Sequence, residues 1–419
     1  MKPGFMKVAN DRIQDDTSFA VRCIECLSVC SLQPVKIGRM RPIPYWSLSG
    51  FYFFHFAFIG AFAPYWSLYL KSLSFNAFQI GILMSLLHVT RVFAPAAWGW
   101  LADHTGKRLL IVQLAAVMGS ISYCGVFFGE SFAWMAATMA LMSFFWSASL
   151  PLIEATTLSY LGESTAKYGR IRAWGSLGFI FAVISVGYLL DAMDIGSLLW
   201  AVLGFKLGII IFSRQIPDAE IALQPADNLS VRQIFKRPEV LAFFAACLLM
   251  ALAHGPYYTF YSIYLVEHGY NKGIVGWLWA IGVICEIGVF FLMPQLMRRF
   301  GLKQIMIFSF SCAIARFLMI GWGVEWLAVM VLAQILHAAT YGAHHATAMM
   351  LVHHFFRGRH QAKGQALYTS LTFGLGGAFG GVFSGYVWEL LGAGLTFTLS
   401  AAAVLLGLGL VVWKMNISR

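Results

Sequence analysis

Six ionisable side chains stand inside long apolar runs of this chain: Arg91, Glu154, Arg172, Lys206, Glu286 and Arg316. Charges withdrawn from water are costly, so such residues face an interior and find partners. Their spacing suggests which ones. Glu286 and Arg316 each lie fifteen residues from Gly301, and Glu154 and Arg172 each lie nine residues from Glu163. With Gly301 and Glu163 in turns between antiparallel helices, each pair shares a depth. For Glu286 and Arg316, about twelve helical residues beyond the loop at 1.5 Å each give ~18 Å. A carboxylate opposite an arginine is either a bridge between helices or a proton carrier, because the arginine favours its charged form and loss of water its neutral form. Arg91 is expected to bind an anionic group or to pair with Glu154. Lys206 is expected to snorkel out of the apolar layer.

Histidines form a second group. His337, Thr340, Tyr341 and His344 recur at the spacing of one helix face, with His345 beside them. His254 precedes Gly255-Pro256-Tyr257-Tyr258, which predicts a kink. His88 is three residues before Arg91 and shares its face. Such a stripe either hydrogen-bonds a neighbouring helix or lines a cavity, and cavity lining explains a stripe better than it explains a lone histidine. A metal is not expected: His337 and His344 are ~10 Å apart along a helix. The close HxxxH spacing, HExxH, a glycine-rich phosphate loop and a nucleophile elbow are all missing, so the chain does not read as an enzyme.

The elements that position these groups must be membrane helices. Of 419 residues 59% are hydrophobic and only 11% charged, with mean hydropathy +0.73, against about 25% charged in soluble domains. Sixteen per cent are aromatic, including fourteen tryptophans, which suits interfacial belts and aromatic cavities. Twelve apolar runs of spanning length follow Tyr45: 45–70, 78–101, 109–128, 132–160, 170–190 and 196–213, then 239–265, 273–297, 302–322, 326–352, 363–390 and 394–413. A polar linker, residues 214–237, separates two halves, 44–213 and 238–413, and residues 414–419 are a short tail. Residues 1–43 read as an N-terminal cytoplasmic tail, and Met40 is an alternative start. The Cys23, Cys26 and Cys30 cluster, without a second ligand set, is a weak metal or redox signal.

The net charge of +11 does not point to nucleic acid, because the cations gather in alternate loops. Lys107, Arg108, Lys167, Arg170, Arg214, Arg232, Lys236, Arg237, Arg298, Arg299, Lys303, Arg357, Arg359 and Lys363 fall on one side. The other side has only Lys71 and Lys272 among several carboxylates. Positive-inside logic puts the first set and both termini in the cytoplasm. The stretch from Pro64 to Ile111 returns 195 residues later without a gap: Ser67, Asn76, Gly81 and Gly106 become Ser262, Asn271, Gly276 and Gly301, and Arg91 becomes Glu286. Repeats of this kind build transporters from two halves around a central site.

The loop Gly99-Trp-Leu-Ala-Asp103-His-Thr-Gly106-Lys107-Arg108 resembles the signature of the major facilitator superfamily. The runs Val89-Thr-Arg91, Lys167-Tyr-Gly-Arg170-Ile-Arg172-Ala-Trp174, His254-Gly-Pro-Tyr257-Tyr258, Cys285-Glu286, Ala315-Arg316 and Gln334-Ile-Leu-His337 resemble the phenylpropionate permease group, related to the lactose-permease branch. The resemblance implies an all-α fold of twelve transmembrane helices in two pseudo-symmetric six-helix halves, in a bacterial inner membrane and as a monomer. It implies proton-coupled symport by alternating access, with no cofactor beyond the proton. By resemblance Glu154 and Arg172 bind substrate, Glu286 couples it to the proton, and Arg316 and His337 complete the coupling set. A carboxylate of that branch one turn after the histidine is replaced here by Thr340, which leaves Glu286 as the main carrier and His337 as the second.

The expected substrate is a small aromatic carboxylate such as 3-phenylpropionate. Arg91, Arg172 and Arg316 suit its charge. Trp174, Tyr257, Tyr258, Tyr261, Trp277 and Trp279 suit its ring, and His254, Tyr341 and His344 complete the lining. Gly99, Asp103, Gly106, Lys107 and Arg108 form the expected cytoplasmic gate loop. A sugar or nucleoside symporter, an exporter and a non-transporting membrane sensor are the alternatives.

Overall fold

Apolar stretches of this length must satisfy their backbone polar groups internally, and helices do so. The computed structural model describes residues 43–161, 167–217 and 231–415, and all regular structure there is helical. The N-terminal tail with Met40 and its cysteines, Glu163, residues 218–230 of the linker and residues 416–419 lie outside the described residues. The first helices are α1 (Tyr45–Ser72), α2 (Ala77–Thr105), α3 (Arg108–Phe127), α4 (Phe132–Leu161), α5 (Tyr168–Ala192) and α6 (Ser197–Arg214). After a one-turn helix, Arg232–Phe235, come α7 (Pro238–Glu267), α8 (Lys272–Phe300), α9 (Leu302–Trp322) and α10 (Leu327–Phe355).

The last run, Gln361–Lys414, has 54 residues. At 1.5 Å per residue it would reach ~80 Å, more than twice the roughly 30 Å hydrocarbon core. It is divided at Gly392, with φ 75° and ψ −179°, into α11 (361–391) and α12 (393–414), which makes twelve spans. Exposed tryptophans mark the ends of spans. Trp46, Trp100 and Trp413 lie toward the face that carries the basic loops, and Trp134, Trp200, Trp322 and Trp326 toward the other.

The 195-residue repeat is visible in the backbone. Helices α2 and α8 each have 29 residues, and each starts after an asparagine whose side chain accepts from a backbone N–H three residues on: Asn76 from Gln79 at 2.8 Å and Asn271 from Ile274 at 2.7 Å. Left-handed turns recur at Ser74 and Gly269, and positive φ angles at Gly106 and Gly301. Gly392 stands 195 residues after Ser197, the first residue of α6, so the break falls where the repeat requires one.

Helix α1 packs on α5 and α6, α3 on α4 and α6, and α2 on α4. In the second set, α8 and α9 pack on α10, and α7 and α9 on the last helical run. Across the molecule α2 meets α11 and α5 meets α8. Those crossings are close because glycines line them: a Cβ on Gly81 would stand 2.6 Å from the Gly381 carbonyl oxygen, and one on Gly276 would stand 2.5 Å from that of Val183.

The two sets differ at three places. Helix α7 is broken at His254 into Pro238–Ala253 and Gly255–Glu267. Wide turns with i→i+5 bonding interrupt α10 at Ala338–Ala343 and α11 at Thr369–Gly376. The matching parts of α1, α4 and α5 are regular. All three irregularities border one cavity.

Candidate functional site

That cavity lies between α2, α7, α10 and α11 and has a water-accessible volume of about 40 Å³. His88 on α2 faces His254, Tyr258, Tyr341, His344 and His345 across it, with Tyr368, Thr372 and Phe373 at the α11 side. The break at His254 turns that ring inward. Its Nδ1 lies 2.8 Å from the Met250 carbonyl and its Nε2 3.4 Å from an Arg316 nitrogen. Both ring nitrogens of His344 and the hydroxyl of Thr372 are buried without a hydrogen-bond partner, so a polar guest would meet unused donors and acceptors there. Tyr368, Thr372 and Phe373 carry no charge and escaped the sequence reading. The nearest signal in the sequence is the run of glycines that follows them, Gly374, Gly376 and Gly377.

Three charged side chains, Glu286, Arg91 and Arg172, lie within electrostatic range of the Tyr341 hydroxyl. Arg91 rests over the Trp146 ring, 5.4 Å from its centroid, and among the described residues it forms no ion pair, with Glu154 or otherwise. Arg172 lies 3.9 Å from the Glu154 carboxylate, with both side chains about one-third exposed. Its guanidinium stacks 4.0 Å from the Phe56 ring, and Tyr168 donates to Glu154 at 3.2 Å.

The expected Glu286–Arg316 pair does not form. Arg316 is fully buried behind the cavity wall. It donates to the Ala333 carbonyl at 3.0 Å, reaches Thr340 at 3.5 Å and His254 at 3.4 Å, and lies over the Tyr257 ring at 4.2 Å. Glu286 instead packs against Gly342 in the wide turn of α10. Equal depth did not make a pair, because helix rotation turned the two side chains to different neighbours.

The α10 stripe is also not one continuous face. The wide turn keeps Thr340, Tyr341, His344 and His345 on the cavity. His337 faces Gly282 of α8 and stacks on Tyr341, ring centroids 5.5 Å apart. Tyr257 donates to Gln334 at 3.0 Å, outside the cavity lining. Trp174 donates to the Tyr45 hydroxyl at 3.1 Å, near the start of α1. Trp277 donates to the Tyr188 hydroxyl at 3.1 Å, and Trp279 to Ser262 at 3.1 Å. Tyr261 is buried in α7 and outside the lining. Of the aromatics read as ring partners, only Tyr258 borders the cavity, where Tyr341, read as lining, joins it. Lys206 does not snorkel: it is 3% exposed, in the packed interior between α1, α3, α4 and α6.

The two faces of the molecule differ. Hydrogen bonds and ion pairs that join α1–α6 to α7–α12 run from the acidic-loop face inward: Lys71 with Glu267, Phe78 N–H to Glu389, Lys272 and Gly273 N–H to Asp191, then His88 with the Phe373 carbonyl and Ser370 to the Val92 carbonyl. On α2 no such bond among the described residues falls beyond Val92. The basic-loop end is looser. Asp103 there pairs with Arg108 at 3.3 Å and is two-thirds exposed. A Cβ on Gly99 or Gly106 would meet nothing within 4 Å, and Lys107 precedes the first turn of α3. Among the described residues, the bonds named above that join the two sets gather toward the acidic-loop face.

Twelve apolar helices, an internal repeat and an aromatic, histidine-lined cavity between the halves define a multi-pass membrane transporter of the major facilitator fold. Residues 45–399 match the model of the MFS_1 like family, and the chain belongs to that family. It is 26% identical over 86% of its length to 95% of a protein of Escherichia coli (strain K12) described as a probable 3-phenylpropionic acid transporter. It is 27% identical over 81% of its length to 86% of the maltose permease of Geobacillus stearothermophilus. The crystal structure of the nucleoside transporter NupG superposes with a TM-score of 0.79 at 20% identity, covering 89% of this chain and 99% of that one. The relatives and the fold are those of transporters, not enzymes.

Proposed function

We propose that this protein is a proton-coupled symporter of a small aromatic carboxylate of the 3-phenylpropionate type. The arrangement that supports the reading is the placement of two arginines from the first half, Arg91 and Arg172, and one carboxylate from the second, Glu286, within electrostatic range of Tyr341, which borders an aromatic cavity. The substrate carboxylate binds on the arginine side, and its ring lies among Tyr258, Tyr341, Tyr368 and Phe373. An anion near Arg172 competes with Glu286 for that positive charge. Binding then leaves Glu286 needing a proton, which couples the two loads. His337, stacked on Tyr341, is the second proton group, and Arg316 holds His254 and Thr340 in place. The 26% identity to the probable 3-phenylpropionic acid transporter supports the substrate class.

The basic-loop face is cytoplasmic in this reading, with both termini on that side of a bacterial inner membrane. The conformation described is then open inward, with the Asp103–Arg108 loop released from its gate role. The transporter works as a monomer, from residues 44–213 and 238–413 joined by the 214–237 linker.

A neutral hydroxylated substrate, a sugar or nucleoside, is the second reading. It is favoured by a lining of Thr259, Thr340 and Thr372 beside histidines, with no arginine or carboxylate among the residues that border the cavity. Equilibrium binding to the purified protein separates them. Under the proposal, labelled 3-phenylpropionate binds and is displaced by other aryl carboxylates but not by maltose or uridine. Displacement by maltose or uridine alone overturns it.

A further inference from the structure

Glu286 is half-buried on α8, and among the described residues its carboxylate forms no ion pair. Its direction is therefore set by packing, and the contact is specific. A Cβ built on the buried Gly342 of α10 would stand 3.0 Å from the Glu286 Cγ, 3.7 Å from its Cα and 3.8 Å from its Cβ. A second contact lies one turn earlier on the same face of α8: a Cβ on Gly282 would stand 3.2 Å from the His337 ring and 3.3 Å from the Gln334 side-chain oxygen. So His337 of α10 seats on a glycine of α8, and Glu286 of α8 seats on a glycine of α10.

The two seats are spaced unequally. Gly282 and Glu286 are four residues apart in an α-helix, about 6 Å along its axis. His337 and Gly342 are five apart, with the wide turn Ala338–Ala343 between them. In an unbroken α10 the residue one turn after His337 is Tyr341, and its ring would fall where the Glu286 side chain lies. The extra residue of the wide turn puts Gly342 there and leaves Tyr341 on the cavity. We infer that Gly342 is the positioning residue for Glu286: the wide turn presents a residue without a side chain to the Glu286 Cγ. A larger residue forces Cγ into another χ1 well and carries the carboxylate away from the place where it exchanges its proton. That role rests on Glu286 being the proton carrier.

The test compares Gly342→Ala with Gly288→Ala, on α8 two residues from Glu286, where a Cβ meets nothing within 4 Å. In the purified protein Gly342→Ala lowers Tm by about 2–4 °C. The same substitution in the Glu286→Ala background, which lacks Cγ, does not lower it. In vesicles with an inward proton gradient, Gly342→Ala accumulates labelled 3-phenylpropionate at least ~10-fold less than the parent, while its equilibrium binding stays within ~3-fold. Gly288→Ala accumulates as the parent does. An equal Tm loss in both backgrounds overturns the inference. So does parent-like accumulation by Gly342→Ala when Glu286→Gln does not accumulate. Accumulation by Glu286→Gln removes the proton carrier and the role of Gly342 together, and the Tm difference then marks the contact as packing alone. If Gly342→Ala does not fold, the double variant with Glu286→Ala decides: its folding supports the inference, and its failure to fold overturns it.

Discussion

The carboxylate of Asp191, at the end of α5, accepts hydrogen bonds from the backbone N–H groups of both Lys272 and Gly273, each at 2.8 Å, where α8 begins. The relation is mirrored: Glu389, at the end of α11, accepts from the Phe78 N–H at 3.1 Å, where α2 begins. First-turn N–H groups have no partner inside their own helix and carry the positive end of its dipole. Each half therefore caps a helix of the other, and the caps exist only while this face is closed.

Asp191→Ala removes two charge-assisted hydrogen bonds, a loss of about 1–2 kcal/mol to closure. Amide exchange in the peptide containing Lys272 and Gly273 is expected to quicken roughly 5- to 30-fold. The α9 peptides are expected to keep their wild-type rates.

Gly276→Leu places a side chain where the backbone of α5 already stands, since even a Cβ would lie 2.5 Å from the Val183 carbonyl oxygen. The expected outcome is a protein that cannot close this face and loses uptake by at least ~10-fold. Gly99→Ala, whose Cβ meets nothing within 4 Å, leaves thermal stability within about 0.5 kcal/mol of the parent.

Arg316 and Arg172 are predicted to fail differently. Arg316→Met strands the Ala333 carbonyl and frees His254 and Thr340, all buried. The expected loss is about 2–4 kcal/mol of stability, read as a lower Tm. Arg316→Lys rescues little, because an ammonium cannot reproduce the planar fork. Arg172→Gln breaks an ion pair one-third exposed, worth under about 1 kcal/mol to stability. It is expected to weaken substrate binding at least ~10-fold at nearly unchanged Tm.

Tyr341→Phe keeps the ring that borders the cavity and deletes its hydroxyl. Binding of 3-phenylpropionate, followed by equilibrium dialysis, is expected to fall about 5- to 10-fold, the cost of one ordinary hydrogen bond.

Much of this architecture was legible in the chain. Asn76 and Asn271 announced two equivalent helices, and the twelve apolar runs agree with the observed spans within four residues at each end. Depth was readable for Glu154 and Arg172, which lie 3.9 Å apart. It misled for Glu286 and Arg316, because residue counting gives height along a helix and not rotation about it. The wide turns of α10 and α11 leave no mark in hydropathy, yet they decide that His345 borders the cavity while His337 does not. Lys206 was misplaced because snorkelling assumes a route to water, and rings of Phe58 and Tyr123 surround it instead.

The most direct measurement is uptake of labelled 3-phenylpropionate into vesicles holding the purified protein, with an inward proton gradient and with that gradient collapsed. The account predicts accumulation that grows as the outside is acidified and disappears on collapse. Glu286→Gln is predicted to bind the substrate but not to accumulate it. Uptake no greater than in empty vesicles from protein that is folded, or equal accumulation by Glu286→Gln, would contradict it.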